Sequence, residues 1–240
     1  MLVFMVFSMI EFYRMIENDD IKPQKIFGII SGTIFFITSI FVAYDLQNIK
    51  ILFLILPVIF ILFIIELFRN KPNPLYNVAF TIFSILYIAI PFSLLMHFYI
   101  KNPITKAYNF ELLLCFFIFI WTNDTMAYVM GKQFGKHPLF TRISPKKTIE
   151  GTIGGVLFSI IASIIISKFY TDYTISQWIM MSLVVTIPSI FGDLVESLFK
   201  RNINIKDSGT LLPGHGGFLD RFDSVLLSAP FVFVYIKLFL

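Results

Sequence analysis

The sequence predicts an all-α, polytopic membrane bundle of about eight segments with a cytoplasm-facing polar cavity. Three observations carry that prediction. Of the 240 residues, 57% are hydrophobic and 14% charged, and mean hydropathy is +0.82. Soluble domains carry about 25% charged and about 45–50% apolar residues. One soluble core of this size cannot hide the surplus, whereas a bilayer is itself an apolar solvent. Next, seven stretches approach the ~20 apolar residues that a spanning helix needs. Finally, Lys and Arg are concentrated in alternate connections.

Residues 1–13 come first. They are apolar but short, and they span only if the helix starts at the first residue; otherwise they lie partly in the interface. Spans follow at 26–44, 51–68, 76–98, 109–130, 149–169, 175–199 and 224–240. The connections 14–25, 69–75, 131–148 and 200–223 hold fourteen of the 19 Lys and Arg. The positive-inside rule puts this set in the cytoplasm, beneath the inner or plasma membrane, and eight crossings put both chain ends outside. One integral membrane domain is expected, with N-terminal membrane helices over 1–108. Over 109–240 it has catalytic helices with cytoplasmic loops at 131–148 and 200–223. The N-terminus lacks a positive region and a small-residue cleavage site, so no cleavable signal peptide is expected. A single Cys115 excludes a disulfide framework. The net charge of +4 comes with no basic tail and no aromatic–basic alternation, and no nucleic-acid partner is expected.

Acids in apolar segments are costly and usually face a polar cavity with a function. Asp124 lies within W-T-N-D-T-M-A-Y and Asp193 within P-S-I-F-G-D-L-V-E-S. Each precedes a basic loop by seven or eight residues, which puts it about 10 Å below the surface at 1.5 Å rise per residue. Glu196 shares the Asp193 helix face at i+3. Asp220 and Asp223 form another such pair at the start of the last segment. These five acids either line one inward-facing pocket or pair as interfacial acids with nearby Lys and Arg. Pro188 and Gly192 ahead of Asp193 suggest a broken or kinked helix lining a cavity.

Both long loops suit phosphate. Ser144, Lys146, Lys147 and Thr148 stand immediately before a helix, where hydroxyls, ammonium groups and free amides favour an anion. The lysines could equally serve only to hold the loop inside. The second loop offers Lys200, Arg201 and Lys206, then a glycine-rich run through His215 to Arg221. Glycines let a backbone approach a ligand closely. His215 could touch a phosphate or hold the turn; Arg221 could clamp a phosphate or neutralise Asp220 and Asp223. Acids that bind a divalent cation, together with basic groups that offset polyphosphate charge, suit phosphoryl or nucleotidyl transfer. Composition chooses neither the nucleotide nor the acceptor.

The run from Ser197 to Asp223, S-L-F-K-R-N-I-N-I-K-D-S-G-T-L-L-P-G-H-G-G-F-L-D-R-F-D, resembles the signature of the phosphatidate cytidylyltransferases. S-P-K-K-T-I-E-G at 144–151 looks like that family's loop, and W-T-N-D-T-M-A-Y with Gly131-Lys132 and Gly135-Lys136 is similar to its preceding helix. The likeness is close over about 121–223 and general before it. Family members usually carry further hydrophobic segments ahead of the acid that Glu11 resembles. The resemblance implies conversion of CTP and phosphatidate to CDP-diacylglycerol and pyrophosphate, with Mg²⁺ and room for a second cation. It implies Asp193 and Asp220 as the metal site, supported by Asp223 and Asp124; Glu196, on the Asp193 helix face, is a further candidate ligand. Lys146, Lys147 and the loop bases would hold the triphosphate. Expected partners are CTP, phosphatidate and bilayer lipid, with a homodimer allowed for. A CTP-dependent polyprenol- or phytol-type lipid kinase is the nearest alternative. A cation channel or transporter, with Asp124 and Asp193 on the ion path, is the alternative of another class.

Overall fold

A computed structural model describes residues 1–44, 46–101, 108–205, 207–209 and 216–240, leaving aside the side chains of 46–48, 100, 101, 108 and 109. The chain divides into two compact units, Met1–Lys101 with Asp207–Phe222, and Asn102–Lys206 with Asp223–Leu240.

The first unit opens with α1 (Leu2–Ile16) and α2 (Lys25–Tyr44). A 3₁₀ stretch, Leu46–Leu54, leads into α3 (Ile55–Arg69). Asn70 and Asn73 take left-handed backbone angles (φ 45° and 48°), turning the chain into α4 (Pro74–Ser84). Asn accepts that conformation more readily than most residues. A π-turn at Ile85–Ala89 precedes Pro91 in α5 (Ile90–Leu95), and a short 3₁₀ turn, Met96–Phe98, and strand β1 (Ile100–Lys101) end the segment. A buried polar knot ties three helix ends together. Glu66 accepts hydrogen bonds from Gln24 Nε2 (2.7 Å), Asn77 Nδ2 (2.8 Å) and Arg69 Nη1 (2.8 Å).

The second unit holds β2 (Tyr108–Asn109), α6 (Glu111–Phe134), β3 (Pro138–Phe140), β4 (Ser144–Thr148), α7 (Ile149–Phe169) and α8 (Ile175–Asn202). Helix α9 (Leu219–Phe239) gives Leu219–Phe222 to the first unit and the rest to the second. Thr148 caps α7 by accepting from Gly151 N (3.2 Å), and Thr174 with Gln177 forms a capping box on α8. Helices α6 and α7 pack tightly at Gly155, where a Cβ would meet Asn123 Oδ1 at 2.6 Å. Buried hydroxyls along the helices, such as Ser159, Thr186 and Ser228, donate to carbonyls of the preceding turn. Such groups find no water inside a bilayer and must be satisfied this way.

Seven helices among the described residues are long and apolar enough to cross a membrane, by length and composition. The span at Ile49–Arg69 has the highest mean hydropathy, 3.1, yet only 11% of it is buried. Phe60, Ile64, Leu67 and Phe68 project outward from it. Water would not tolerate that surface, but lipid would. This is an integral membrane protein built as a polytopic helical bundle. The eighth apolar segment forms α1, whose 15 residues rise about 22 Å against a hydrocarbon core of about 30 Å.

The helices outrun the apolar stretches that predict them. Both α6 and α8 continue to Phe134 and Asn202, and α9 begins at Leu219, so the loops contract to 135–148 and 203–218. Polar residues do not end a helix that leaves the hydrocarbon. Lys200 and Arg201 in the last turn of α8 favour its negative end, as Asp220 does the positive end of α9. Of the break or kink suggested near Pro188, the break is absent: α8 runs as one helix through it. Proline removes a single N–H bond, which the surrounding turns absorb. The β3–β4 hairpin, paired antiparallel with Pro138 opposite Thr148 and Phe140 opposite Ser144, was not expected.

Candidate active site

In the second unit the expected acids meet one lysine. On a strand, successive side chains point to opposite faces. Along β4 this turns Lys146 outward and half-buries Lys147. Lys147 Nζ donates to Asp193 Oδ2 in an ion pair whose two side chains are each about a third exposed, 32% and 33%. Ser197, one turn on, donates to Asp193 Oδ1 at 3.3 Å. Asp124 on α6 and Asp223 on α9 both interact electrostatically with Asp193 and with Lys147, and Lys200 adds its charge at Asp223. Asn123 donates to Asp124 Oδ1 (3.4 Å).

Gly192 explains how the α8 acid comes beside the α9 acid. A Cβ there would lie 2.5 Å from the carbonyl oxygen of Asp223 and 3.1 Å from Ser224 Cα. Only a residue without a side chain lets the two backbones touch at this level. One turn further, Glu196 is fully buried and pairs with Lys200 Nζ at 3.3 Å. Glu150 fixes the other approach to the cluster. Its Oε2 accepts from the backbone of Lys136 (3.0 Å) and His137 (3.2 Å), and its Oε1 bonds His137 Nδ1 (2.6 Å). That brace holds the hairpin against the start of α7, and with it Ser144, Lys147 and Thr148.

Part of the signature loop lies in the first unit. Asp220 Oδ2 accepts from Ser208 N and Gly217 N, both at 3.0 Å. Gly216 has φ +81°, a conformation that favours glycine, and its Cβ position would be 3.3 Å from the same oxygen. Arg221 is exposed, as is Arg201, whose Nη1 donates to Ile205 O (3.2 Å). Lys206 and His215 lie outside the described residues.

Three carboxylates around one ammonium supply hard oxygen donors, the chemistry a divalent cation takes. Among the described residues no three Asp, Glu, His or Cys side chains close into a ready metal cluster; Lys147 sits against Asp193 instead. This is no obstacle to Mg²⁺, which is usually held by one or two carboxylates plus substrate phosphates rather than by an all-protein cage.

Sequence reasoning missed two residues. Glu150 was passed over inside a motif read for its lysines. Glu11, 1% exposed in α1, accepts from Leu219 N in the signature region at 2.9 Å. The cost of an acid inside an apolar run, the rule that singles out Asp124 and Asp193, would have found it.

Comparison with known proteins shows which family the chain resembles. Phosphatidate cytidylyltransferase of Staphylococcus haemolyticus (strain JCSC1435) is 45% identical over 157 residues, covering 64% of this chain and 57% of that protein. The Staphylococcus aureus (strain COL) protein of the same name is 42% identical over 156 residues, with the same coverage. That of Staphylococcus epidermidis (strain ATCC 12228 / FDA PCI 1200) is 43% identical over 157 residues, again at 64% and 57%. The chain thus spans between half and two thirds of the length of the curated relatives it matches. A sequence model of the cytidylyltransferase family matches residues 1–239, essentially end to end, and the chain belongs to the cytidylyltransferase family.

Proposed function

We propose that this protein is a phosphatidate cytidylyltransferase: CTP and phosphatidate give CDP-diacylglycerol and pyrophosphate, at the cytoplasmic face of the membrane. The observation that carries the reading is the Asp193–Lys147 pair with Asp124 and Asp223 in its field, in a chain of this family.

The main obstacle is repulsion between two anions, since phosphatidate must approach a triphosphate. A phosphate monoester has a second pKa of about 6, so the phosphatidate oxygen is largely ionised at neutral pH and needs no protein base. It attacks the α-phosphorus of CTP, and the bond to the pyrophosphate oxygen breaks. Lys147 moves from Asp193 to the triphosphate when nucleotide enters, and Lys146, Ser144 and Thr148 are assigned to the nucleotide on their positions in the loop motif. Preorganised positive charge of this kind lowers a barrier in which negative charge develops. Asp193 is assigned as the principal metal carboxylate, with Asp124, Asp223 and Glu196 supporting it. Asp220 is assigned to the metal, and Lys200, Arg201, Lys206, His215 and Arg221 to the nucleotide, on their positions in the signature. When bound, Mg²⁺ would neutralise phosphate charge as a Lewis acid. The acyl chains stay in the bilayer throughout.

The test is product analysis. Purified protein is given phosphatidate, Mg²⁺ and CTP labelled at either the α- or the γ-phosphate. Label from the α position should appear in lipid, and label from the γ position in pyrophosphate. Label from the γ position in lipid, with CDP released, would identify a lipid kinase and end the proposal.

A further inference from the structure

We infer that Glu11 is a positioning residue that pins the two described ends of the signature loop, an assignment that rests on the cytidylyltransferase reading for its effect on turnover. The carboxylate lies 1% exposed in α1, 197 and 208 residues from its two partners in sequence. Its Oε2 accepts from Leu219 N (2.9 Å) and Ser208 Oγ (3.4 Å), the two ends of the described loop. Gly209 and Gly217 leave no spare room around it. A Cβ on Gly209 would lie 2.6 Å from Oε1, and one on Gly217 2.6 Å from Oε2. Phe4 and Phe7 of α1 stack on Phe218, with centroids 6.0 and 5.1 Å apart, and Phe4 also stacks on Phe222 at 5.3 Å. Rings clamp the outside of this junction while the carboxylate holds its inside.

The consequence reaches Asp220. Ser208 and Gly217, which crowd Glu11, are the residues whose amides hold Asp220 Oδ2. Loss of Glu11 therefore frees the frame of a proposed metal carboxylate without touching it. Geometry also says which property of Glu11 matters. Both bonds run to a single oxygen, while Oε1 is buried with no hydrogen-bond partner among the described residues. Reach and one acceptor are required; the second oxygen is not.

Three variants separate these properties. Glu11→Gln keeps reach and one acceptor, Glu11→Asp keeps charge but is one methylene short, and Glu11→Ala keeps neither. Hydrogen exchange at the amides of Ser208, Gly217 and Leu219 is measured beside the kinetics with CTP. Two lost hydrogen bonds should speed exchange by about tenfold or more in Glu11→Ala and Glu11→Asp. In the same two variants kcat/KM for CTP should fall by about the same factor. Glu11→Gln should stay within about threefold of the parent in both. Parental exchange in Glu11→Asp overturns the inference, as does Glu11→Asp outperforming Glu11→Gln, which would mark a need for charge. The Asp–Gln comparison decides even if Glu11→Ala does not fold. A parent that fails to turn over CTP would end the enzymatic reading, yet the exchange pattern would still judge Glu11.

Discussion

Lys146 and Lys147 are adjacent in sequence and opposite in environment. Lys147 is half-buried against Asp193, while Lys146 is exposed on the other face of β4. Lys147→Ala should therefore lower kcat for pyrophosphate release by about tenfold or more, whereas Lys146→Ala should chiefly raise the apparent KM for CTP. Equal effects in both variants would show that the hairpin does not sort the two charges. The double variant should raise KM further; an unchanged KM would leave the pair only a role in topology. The acids were legible one by one, because a carboxylate inside an apolar run is conspicuous: Asp124 and Asp193 needed no structure. The division of labour between the lysines was not legible, because it depends on strand alternation in a hairpin with no sequence signal strong enough to announce it. What Glu11 holds was hidden for another reason. Its partners, Ser208 and Leu219, lie at the far end of the chain, and nothing local links them.

At the scale of elements, the contact of α8 with α9 turns on Gly192. Adding a methyl group there drives it to 2.5 Å from the Asp223 carbonyl, which is backbone and cannot swing aside. Gly192→Ala should cost about 1–3 kcal/mol of stability, seen as a lower midpoint of thermal unfolding in detergent, and should weaken activity through the displaced acids. Unchanged stability and turnover would mean that the two helices do not meet there. The α7 cap offers a milder case. Thr148→Ala removes the acceptor for Gly151 N and should cost about 1 kcal/mol. The spans themselves were read from hydropathy almost residue by residue. Their ends were not, since the apolar run measures the hydrocarbon and the helix continues past it, as α6 and α8 do to Phe134 and Asn202.

For the whole molecule, the distribution of Lys and Arg predicts an inside and an outside. By the positive-inside rule the connections 135–148 and 203–218 are expected on the cytoplasmic side, and the turn at 170–174 on the other. A cysteine placed at His137 should react with an impermeant thiol reagent only from the cytoplasmic side of sealed vesicles, and one at Thr171 only from the opposite side. The reverse pattern would place the proposed site away from its nucleotide. Cys115 is buried and does not compete for the reagent. The direct test of the central claim is pyrophosphate release from CTP and phosphatidate by folded Asp193→Asn. Losing the proposed metal carboxylate, worth several kcal/mol, predicts a fall of about a hundredfold or more, with helical content unchanged. Parental turnover in that folded variant would contradict the account.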